Sequence, residues 1–228
     1  HDALPISYIP QWDLYLDSTA ELAPFDILPA SVLDKPVVLT ALGIYGNTPK
    51  MTAEANQLKT TVHIAIDPEG RMSGSSETQY FGQLDYAARN TFYGYVGSSK
   101  RTMERNHLMA FRQTGTGRFY PTEVRNLNQA FTNKTTFELD PVFNFPGPGA
   151  MTVPVGMSPG RIMSMSYYKP RDKLLFPFEC WSYGYDESYE IKLPDTVRIT
   201  RIPSNVQYQD QGVLYRATYE QVGQVIHV

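Results

Sequence analysis

Cysteine is nearly absent from this sequence. The 228 residues include one cysteine, Cys180, so no disulfide can form within the chain. Long apolar runs are absent as well, and none approaches the roughly 20 residues that a membrane-spanning helix requires. Lysine and arginine do not cluster, and the formal net charge is −3, whereas a nucleic-acid-binding domain needs a basic face. These absences predict that this stretch of chain has no membrane span and does not bind nucleic acid.

Aromatic residues and proline, in contrast, are abundant. The chain contains 16 tyrosines, 11 phenylalanines and 17 prolines, and its 42% hydrophobic and 19% charged residues are typical of a globular protein. Tyrosine and phenylalanine favour strands, and proline favours the turns that join them. A chain of this length can bury a full core without disulfides or metals. Composition therefore predicts a β-rich globular protein.

Hydrophobic periodicity places the elements. Residues 58–66 alternate with a period of two, which predicts a strand, and helical spacing predicts helices near residues 83–96 and 100–113, with Ser99 as an N-cap. Further predicted features are a buried strand at residues 37–42, a loop at 43–51, strands at 134–145, 176–181, 188–193, 197–202 and 214–220, and a hairpin turn at 210–212. We predict a mainly β fold, in the form of a β-sandwich-like accessory domain with an inserted helical hairpin.

The segment around Asp17 carries a family resemblance. Residues 6–20 (ISYIPQWDLYLDSTA) resemble the last two strands of the catalytic core in bacterial transglutaminase-like proteins, and residues 24–29 and 35–37 resemble the exit loop of that core. The resemblance implies that residues 1–45 are a remnant of a transglutaminase-like α+β core and that residues 46–228 are a β-rich C-terminal accessory domain. It also implies that Asp17 is the acid of a Cys-His-Asp triad, in which it orients the histidine.

The triad partners of Asp17 are missing. The family pattern expects the histidine at the position of Leu4, 17 − 4 = 13 residues before the aspartate, and leucine cannot take a proton. Residues 1–6 (HDALPI) resemble translated sequencing-adapter text, so we expect native sequence to resume near Ile6 or Ser7. The alternative is that His1 is the triad histidine, although 17 − 1 = 16 residues is an odd shift that reverses its facing on the strand. We expect the natural protein to extend beyond both ends of this sequence.

Several other residues have competing interpretations. Asp17 could instead close a local turn by bonding the backbone of Ser18 or Thr19. We interpret Cys180 as a buried, inert thiol and the histidines at 63 and 107 as half-buried polar positions. The aromatic group formed by Trp181, Tyr183, Tyr185 and Tyr189 could bind sugar or peptide, but core packing is the simpler interpretation. No spacing of His, Cys, Asp or Glu matches a zinc or calcium site, so we predict no metal and no cofactor.

The sequence is therefore compatible with two main functions. In the first, the chain is the C-terminal part of a transglutaminase-like cysteine enzyme whose peptide or protein amide substrate is attacked by a cysteine outside this sequence, and the fragment itself is inactive. In the second, it is a non-catalytic β-sandwich module that positions substrate or binds a partner in the cell envelope, and a carbohydrate-binding sandwich is a third possibility. The resemblance implies a location in the periplasm or cell envelope of a Gram-negative bacterium. The oligomeric state stays open.

Overall fold

The fold is mainly β. The computed structural model describes residues 6–141, 147–166, 182–210 and 212–228, and within these ranges the chain forms thirteen strands and three α-helices. The strands are β1 Ser7–Ile9, β2 Leu14–Leu16, β3 Pro36–Leu39, β4 Ile44–Asn47, β5 Gln57–Ile66, β6 Met72–Tyr80, β7 Gly115–Pro121, β8 Thr132–Leu139, β9 Gly184–Lys192, β10 Val206–Asp210, β11 Val213–Ala217, β12 Glu220–Val222 and β13 Val225–His227. The helices are α1 Gln83–Tyr93, α2 Gly97–Ala110 and α3 Arg161–Ser166.

One seven-stranded sheet organises the chain from residue 57 onward. Its strand order is β12-β13-β9-β5-β6-β8-β7. Strands β5 and β9 run parallel, and every other neighbouring pair in this sheet is antiparallel. The remaining described strands form three two-stranded hairpins, which are β1-β2, β3-β4 and β10-β11.

The central strands of the large sheet have one buried and one exposed face. In β5, apolar residues such as Val62 and Ile64 are buried, whereas the alternating residues, including Lys59 and His63, are exposed. Successive side chains of a strand point to opposite faces, so this period-two pattern gives the sheet one buried and one solvent-exposed face. The buried face forms part of the protein core. Its strand residues include Leu58, Val62, Ile64, Ile66, Met72, Phe119, Phe137, Leu139, Tyr189 and Ile191.

Helices α1 and α2 complete this core from one side. They lie in the two segments where spacing predicted helices, and they contribute Leu84, Phe92 and Leu108 to the same buried cluster as the strands. Ser99 is not the N-cap of α2 but lies inside its first turn, where its hydroxyl donates to the carbonyl of Val96 at 2.6 Å. The arrangement is one large sheet with helices on one face. The mainly β class is therefore confirmed, while the described part does not contain the second packed sheet of a sandwich.

Phe137 on β8 fixes a close contact that requires glycine. A Cβ on Gly74, its neighbour on β6, would lie 2.6 Å from Cζ of the Phe137 ring and would also clash with the carbonyl of His63. Gly156 has a φ of +60°, and a Cβ there would clash with the same Cζ atom. Glycine therefore lets the ring sit between a strand and the loop that covers it.

A buried ion pair ties α1 to the connection between β7 and β8. Arg89 is fully buried and pairs with Asp85 one helical turn away. Its guanidinium also donates to three backbone carbonyls of the connection, and Asp85 accepts the backbone N–H of Phe131 at 2.5 Å. The three carbonyls belong to Val124, Asn126 and Gln129, at 2.8, 3.0 and 2.6 Å. Because both charges are hydrogen-bonded on several sides, the pair can be buried without an uncompensated charge.

The N-terminal part contains two small hairpins. Tyr15 of β2 is buried, and its hydroxyl approaches Gly46 of β4, so the hairpins pack against each other. Residues 37–42 were predicted to form a buried strand, but β3 ends at Leu39 and Val38 is 60% exposed. Residues 43–51 were predicted to be a loop and instead contain β4. The predicted strand is therefore correct for residues 37–39, but its burial and the predicted loop at 43–51 were wrong, because β3 and β4 pair with each other rather than entering the large sheet.

The predicted elements of the C-terminal part agree with the structure in one place and differ from it in another. Strands β10 and β11, on either side of the hairpin signal at residues 210–212, pair antiparallel as predicted. Residues 197–202 form no strand, because Val197 and Ile199 pack against the core from an irregular segment. The predicted strand at residues 176–181 and the end of the one at 134–145 lie outside the described residues.

Candidate functional site

Asp17, the predicted triad acid, directly follows the β1-β2 hairpin. Ser7 lies opposite Leu16 in this hairpin, so the sequence does form an antiparallel pair that ends at the aspartate. One carboxylate oxygen of Asp17 accepts the backbone N–H of Thr19 at 2.9 Å and the hydroxyl of the same residue at 2.6 Å. The carboxylate thus closes a local turn. Among the described residues it has no other hydrogen-bond partner.

The proposed partners of Asp17 cannot be placed. His1 and Leu4 lie outside the described residues, as does Cys180. His63 is exposed on β5, with Nδ1 3.8 Å from a carboxylate oxygen of Glu190. The triad role of Asp17 therefore stays a prediction.

His107 on α2 is the most enclosed of the described histidines. Its Nε2 lies 2.8 Å from the carbonyl oxygen of Ser158, and its ring contacts those of Phe111 and Phe119. Burial lowers the pKa of His107, because the apolar rings disfavour a charged imidazole. The carbonyl contact requires a proton on Nε2, so the neutral ring serves as a donor in the core.

The tyrosines proposed as a binding face belong to the core side of the sheet. Tyr189 is buried beside Val62, its partner on β5, and Tyr183 and Tyr185 are partly buried against the same core. Burial raises the pKa of all three hydroxyls. Core packing is therefore the correct interpretation for these three, whereas Trp181 lies outside the described residues.

A different surface has the shape of a binding site. We call the exposed side of strands β5 to β9 the open face. Its residues are Lys59, Thr61, His63, Ala65, Ser73, Ser75, Glu77, Gln79, Thr116, Arg118, Tyr120, Lys134, Thr136, Glu138, Asp186, Ser188, Glu190 and Lys192. A depression of about 790 Å³ lies in this face and spans all five strands.

The depression exists because short and long side chains are sorted across the strands. Short hydroxyl side chains lie toward its middle: Thr61 and Ser188 are cross-strand neighbours, as are Ser75 and Thr136 on the other two central strands. Longer polar side chains surround them. The longer ones that line the depression include Lys59, Gln79, Tyr120 and Asp186. In the register of β5 and β6, Thr61 stands opposite Glu77 and Ser75 stands opposite His63, so the two pairs of short side chains are diagonal neighbours. The hollow lies over these short side chains, between the longer ones.

The lysines and the acidic residues that line the depression are equal in number. The Lys134 ammonium lies 3.3 Å from a carboxylate oxygen of Glu77 on the neighbouring strand. Lys59 stands opposite Asp186 in the register of β5 and β9. Two lysines are thus balanced by two acids.

Several polar side chains of the depression have unused hydrogen-bonding capacity. Within the described part of the chain, Ser75, Thr136, Gln79 and the hydroxyl of Tyr120 make no side-chain hydrogen bond. Thr61 and Ser188 make one long contact, with 3.4 Å between their oxygens. The opposite side of the same strands differs: Thr60 bonds Thr78 at 3.1 Å in the core.

The edge strand β7, which carries Tyr120, is held by α2. A carboxylate oxygen of Glu104 accepts the backbone N–H of Phe119 at 3.1 Å, and the Tyr95 hydroxyl donates to that oxygen at 2.6 Å. The other oxygen accepts from Arg118 at 3.0 Å. Burial and the Glu104 carboxylate both raise the pKa of Tyr95. These contacts cover an edge that would otherwise expose unpaired backbone groups, and they fix Tyr120 at the side of the depression.

The described residues contain no candidate metal centre. No group of three or more His, Cys, Asp and Glu side chains in these ranges could hold a metal ion. None of the described helices is long and apolar enough to cross a bilayer.

Comparison with known proteins gives no relative. No protein-family model, curated protein or solved structure matches this chain.

Sequence reasoning did not single out the open face as a site. The alternation in β5 and the Ser- and Thr-rich composition of β6 were visible signals. They become a site only through the order β9-β5-β6-β8-β7, which brings short hydroxyl side chains from four strands together.

Proposed function

We propose that this chain is a non-catalytic binding module of a larger protein and that the open face is its binding surface. The observation that carries this proposal is the depression of about 790 Å³ whose hydroxyl and amide groups are free to bond a ligand. The one predicted catalytic residue, Asp17, supports the same conclusion, because its carboxylate is bonded to Thr19 in a local turn. A location in the bacterial cell envelope rests on the family resemblance.

Filling the depression tests this function. Thr136 lies in it, and a Thr136→Trp substitution puts a bulky side chain that is compatible with a strand into the hollow. The matched control is Thr116→Trp, which changes the same residue type on the same face but outside the depression. We expect wild type and T116W to sediment with isolated cell-envelope polysaccharide and T136W to stay in solution. Equal sedimentation of both folded variants, or none by the wild type, would contradict the proposal.

A second proposal concerns the parent protein. We propose that the module belongs to a transglutaminase-like cysteine enzyme, with Asp17 as the remaining triad residue. The supporting observation is that β1 and β2 form an antiparallel hairpin with Asp17 immediately after it. In the proposed parent, a histidine shortly before β1 lies on the chain segment that pairs with β2, is oriented by the aspartate, and activates a cysteine toward an amide carbonyl.

The genomic sequence upstream of Ser7 tests this ancestry. We expect a histidine at the position that Leu4 occupies and a cysteine further upstream. A native sequence without both residues would remove the enzyme proposal and leave the binding module unaffected.

A further inference from the structure

The ligand of the open face can be assigned to a chemical class. We propose that the depression binds a neutral, polyhydroxylated ligand, an oligosaccharide segment, with a sugar ring stacked on Tyr120. This inference rests on the proposed binding function and adds the identity of the ligand class.

The charge balance of the depression is the first argument. Lys59 and Lys134 are matched by Asp186 and Glu77, and the second lysine already contacts its acid at 3.3 Å. An anionic polymer would need an excess of basic groups, and the described residues that line the depression provide none. Their balanced charges suit a neutral ligand.

The hydrogen-bonding groups are the second argument. Ser75, Thr136 and Gln79 lie on adjacent strands and have no side-chain bond within the described residues. A hydroxyl both donates and accepts, and an amide offers one group of each kind, so together they match the mixed donor and acceptor character of sugar hydroxyls. Such groups gain little from an apolar partner, which would leave them unpaired.

The shortage of apolar side chains is the third argument. The described residues that line the depression include no alanine, valine, leucine, isoleucine or methionine, and their ring side chains are Tyr120 and His63. The core of a protein–protein interface is rich in aromatic and other apolar anchors, so a folded protein partner fits poorly. The Tyr120 ring is 52% exposed at one side of the depression and can cover the apolar C–H face of a sugar ring.

Calorimetric titration of the full chain tests this assignment. The probes are four neutral hexasaccharides, namely cellohexaose, xylohexaose, chitohexaose and maltohexaose, with hexagalacturonate as the anionic comparison. We expect binding of at least one neutral probe, with an affinity that changes less than about twofold between low and high salt because no net charge is neutralised. Binding of hexagalacturonate alone, with strong salt dependence, would overturn the assignment.

Variants of Tyr120 test the stacking directly. We expect Tyr120→Ala to weaken binding about tenfold, the loss of one aromatic contact, and Tyr120→Phe to retain most of the affinity. The control is Tyr45→Ala, which removes a tyrosine that is 87% exposed on β4. An unchanged affinity in Y120A, with the fold verified by circular dichroism, would overturn the stacking role.

The outcome also separates the ligand class from the proposed function. If T136W abolishes sedimentation with envelope polysaccharide while hexagalacturonate binds and none of the neutral hexasaccharides does, the open face is a binding surface and the assignment to a neutral ligand is wrong. If the wild type neither sediments nor binds any probe, both are wrong.

Discussion

The two faces of the seven-stranded sheet are built from the same strands, but their polar side chains differ in how they are hydrogen-bonded. On the helix side, apolar residues pack and the hydroxyls bond one another, as Ser76 and Thr135 do at 2.8 Å. On the open face, Ser75 and Thr136, the next residues along the same strands, have no side-chain partner among the described residues. Burial without partners is costly, so the helix side has to satisfy its polar groups. The open face is free of that requirement, and its side chains can serve a ligand.

Among these variants, loss of Arg89 should lower the free energy of unfolding the most, because it leaves the Asp85 carboxylate buried without its ion-pair partner. In Arg89→Met, Asp85 stays buried with one backbone N–H donor, and three carbonyls lose their donor. We expect the free energy of unfolding to fall by about 3–5 kcal/mol, measured by denaturant titration. The control Arg105→Met, at an exposed position of α2, should change it by less than about 0.5 kcal/mol. Similar values for the two variants would contradict the clamp role of Arg89.

Adjacent residues on β8 sharpen the comparison of the two faces. Phe137 is 3% exposed on the helix side, and Thr136 is exposed on the other. We expect Phe137→Ala to lower the free energy of unfolding by about 3–5 kcal/mol and Thr136→Ala by less than about 0.5 kcal/mol. Comparable losses would mean that the open face is covered by a packed element, and the binding proposal would fail with it.

Low pH should reduce the free energy of unfolding because His107 is buried in its neutral form. Burial lowers its pKa below the ordinary value of 6.5, so the unfolded chain takes up a proton at a pH where the folded chain does not. The free energy of unfolding should therefore fall as pH drops through that value, by up to about 1.4 kcal/mol per pH unit. Unfolding curves of wild type and His107→Gln at several pH values measure this. The variant should show a shallower decline, and parallel declines would rule out His107 as a cause.

Asp17 should have the smallest effect, because it belongs to neither face. Its carboxylate is exposed and bonds Thr19 locally. We expect Asp17→Ala to reduce stability by about 0.5–1 kcal/mol and to leave ligand binding at the open face unchanged, as measured by thermal unfolding and by sedimentation with envelope polysaccharide. A loss of binding in D17A would move the site to the N-terminal hairpins.

Local periodicity explains which parts of the fold were predictable. Strand β5 and helices α1 and α2 follow from spacings within about ten residues, so the sequence indicates them directly. The parallel pairing of β5 with β9 joins Gln57 to Gly184, and no local pattern encodes a contact over that distance. The strand predicted at residues 197–202 was wrong because local alternation does not distinguish a strand from an irregular segment whose alternate residues pack on the core.

The candidate site was harder to predict than the fold. A resemblance singled out Asp17 as a triad acid. Among the described residues its carboxylate bonds Thr19 in a local turn, and the expected histidine position lies outside them. The depression depends on which strands are neighbours, so the short side chains of Thr61, Ser75, Thr136 and Ser188 become a group only in the folded sheet. A linear sequence shows them as ordinary polar positions of exposed strands.

The most direct test of the central claim is a nuclear magnetic resonance titration of the isotope-labelled chain with soluble envelope polysaccharide. If the open face binds the ligand, the backbone amides that shift should lie in β5, β6, β8 and β9 around Thr61, Ser75, Thr136 and Ser188. Shifts confined to the β1-β2 hairpin or to the β10-β11 hairpin, or a spectrum that does not change at saturating polysaccharide, would contradict it.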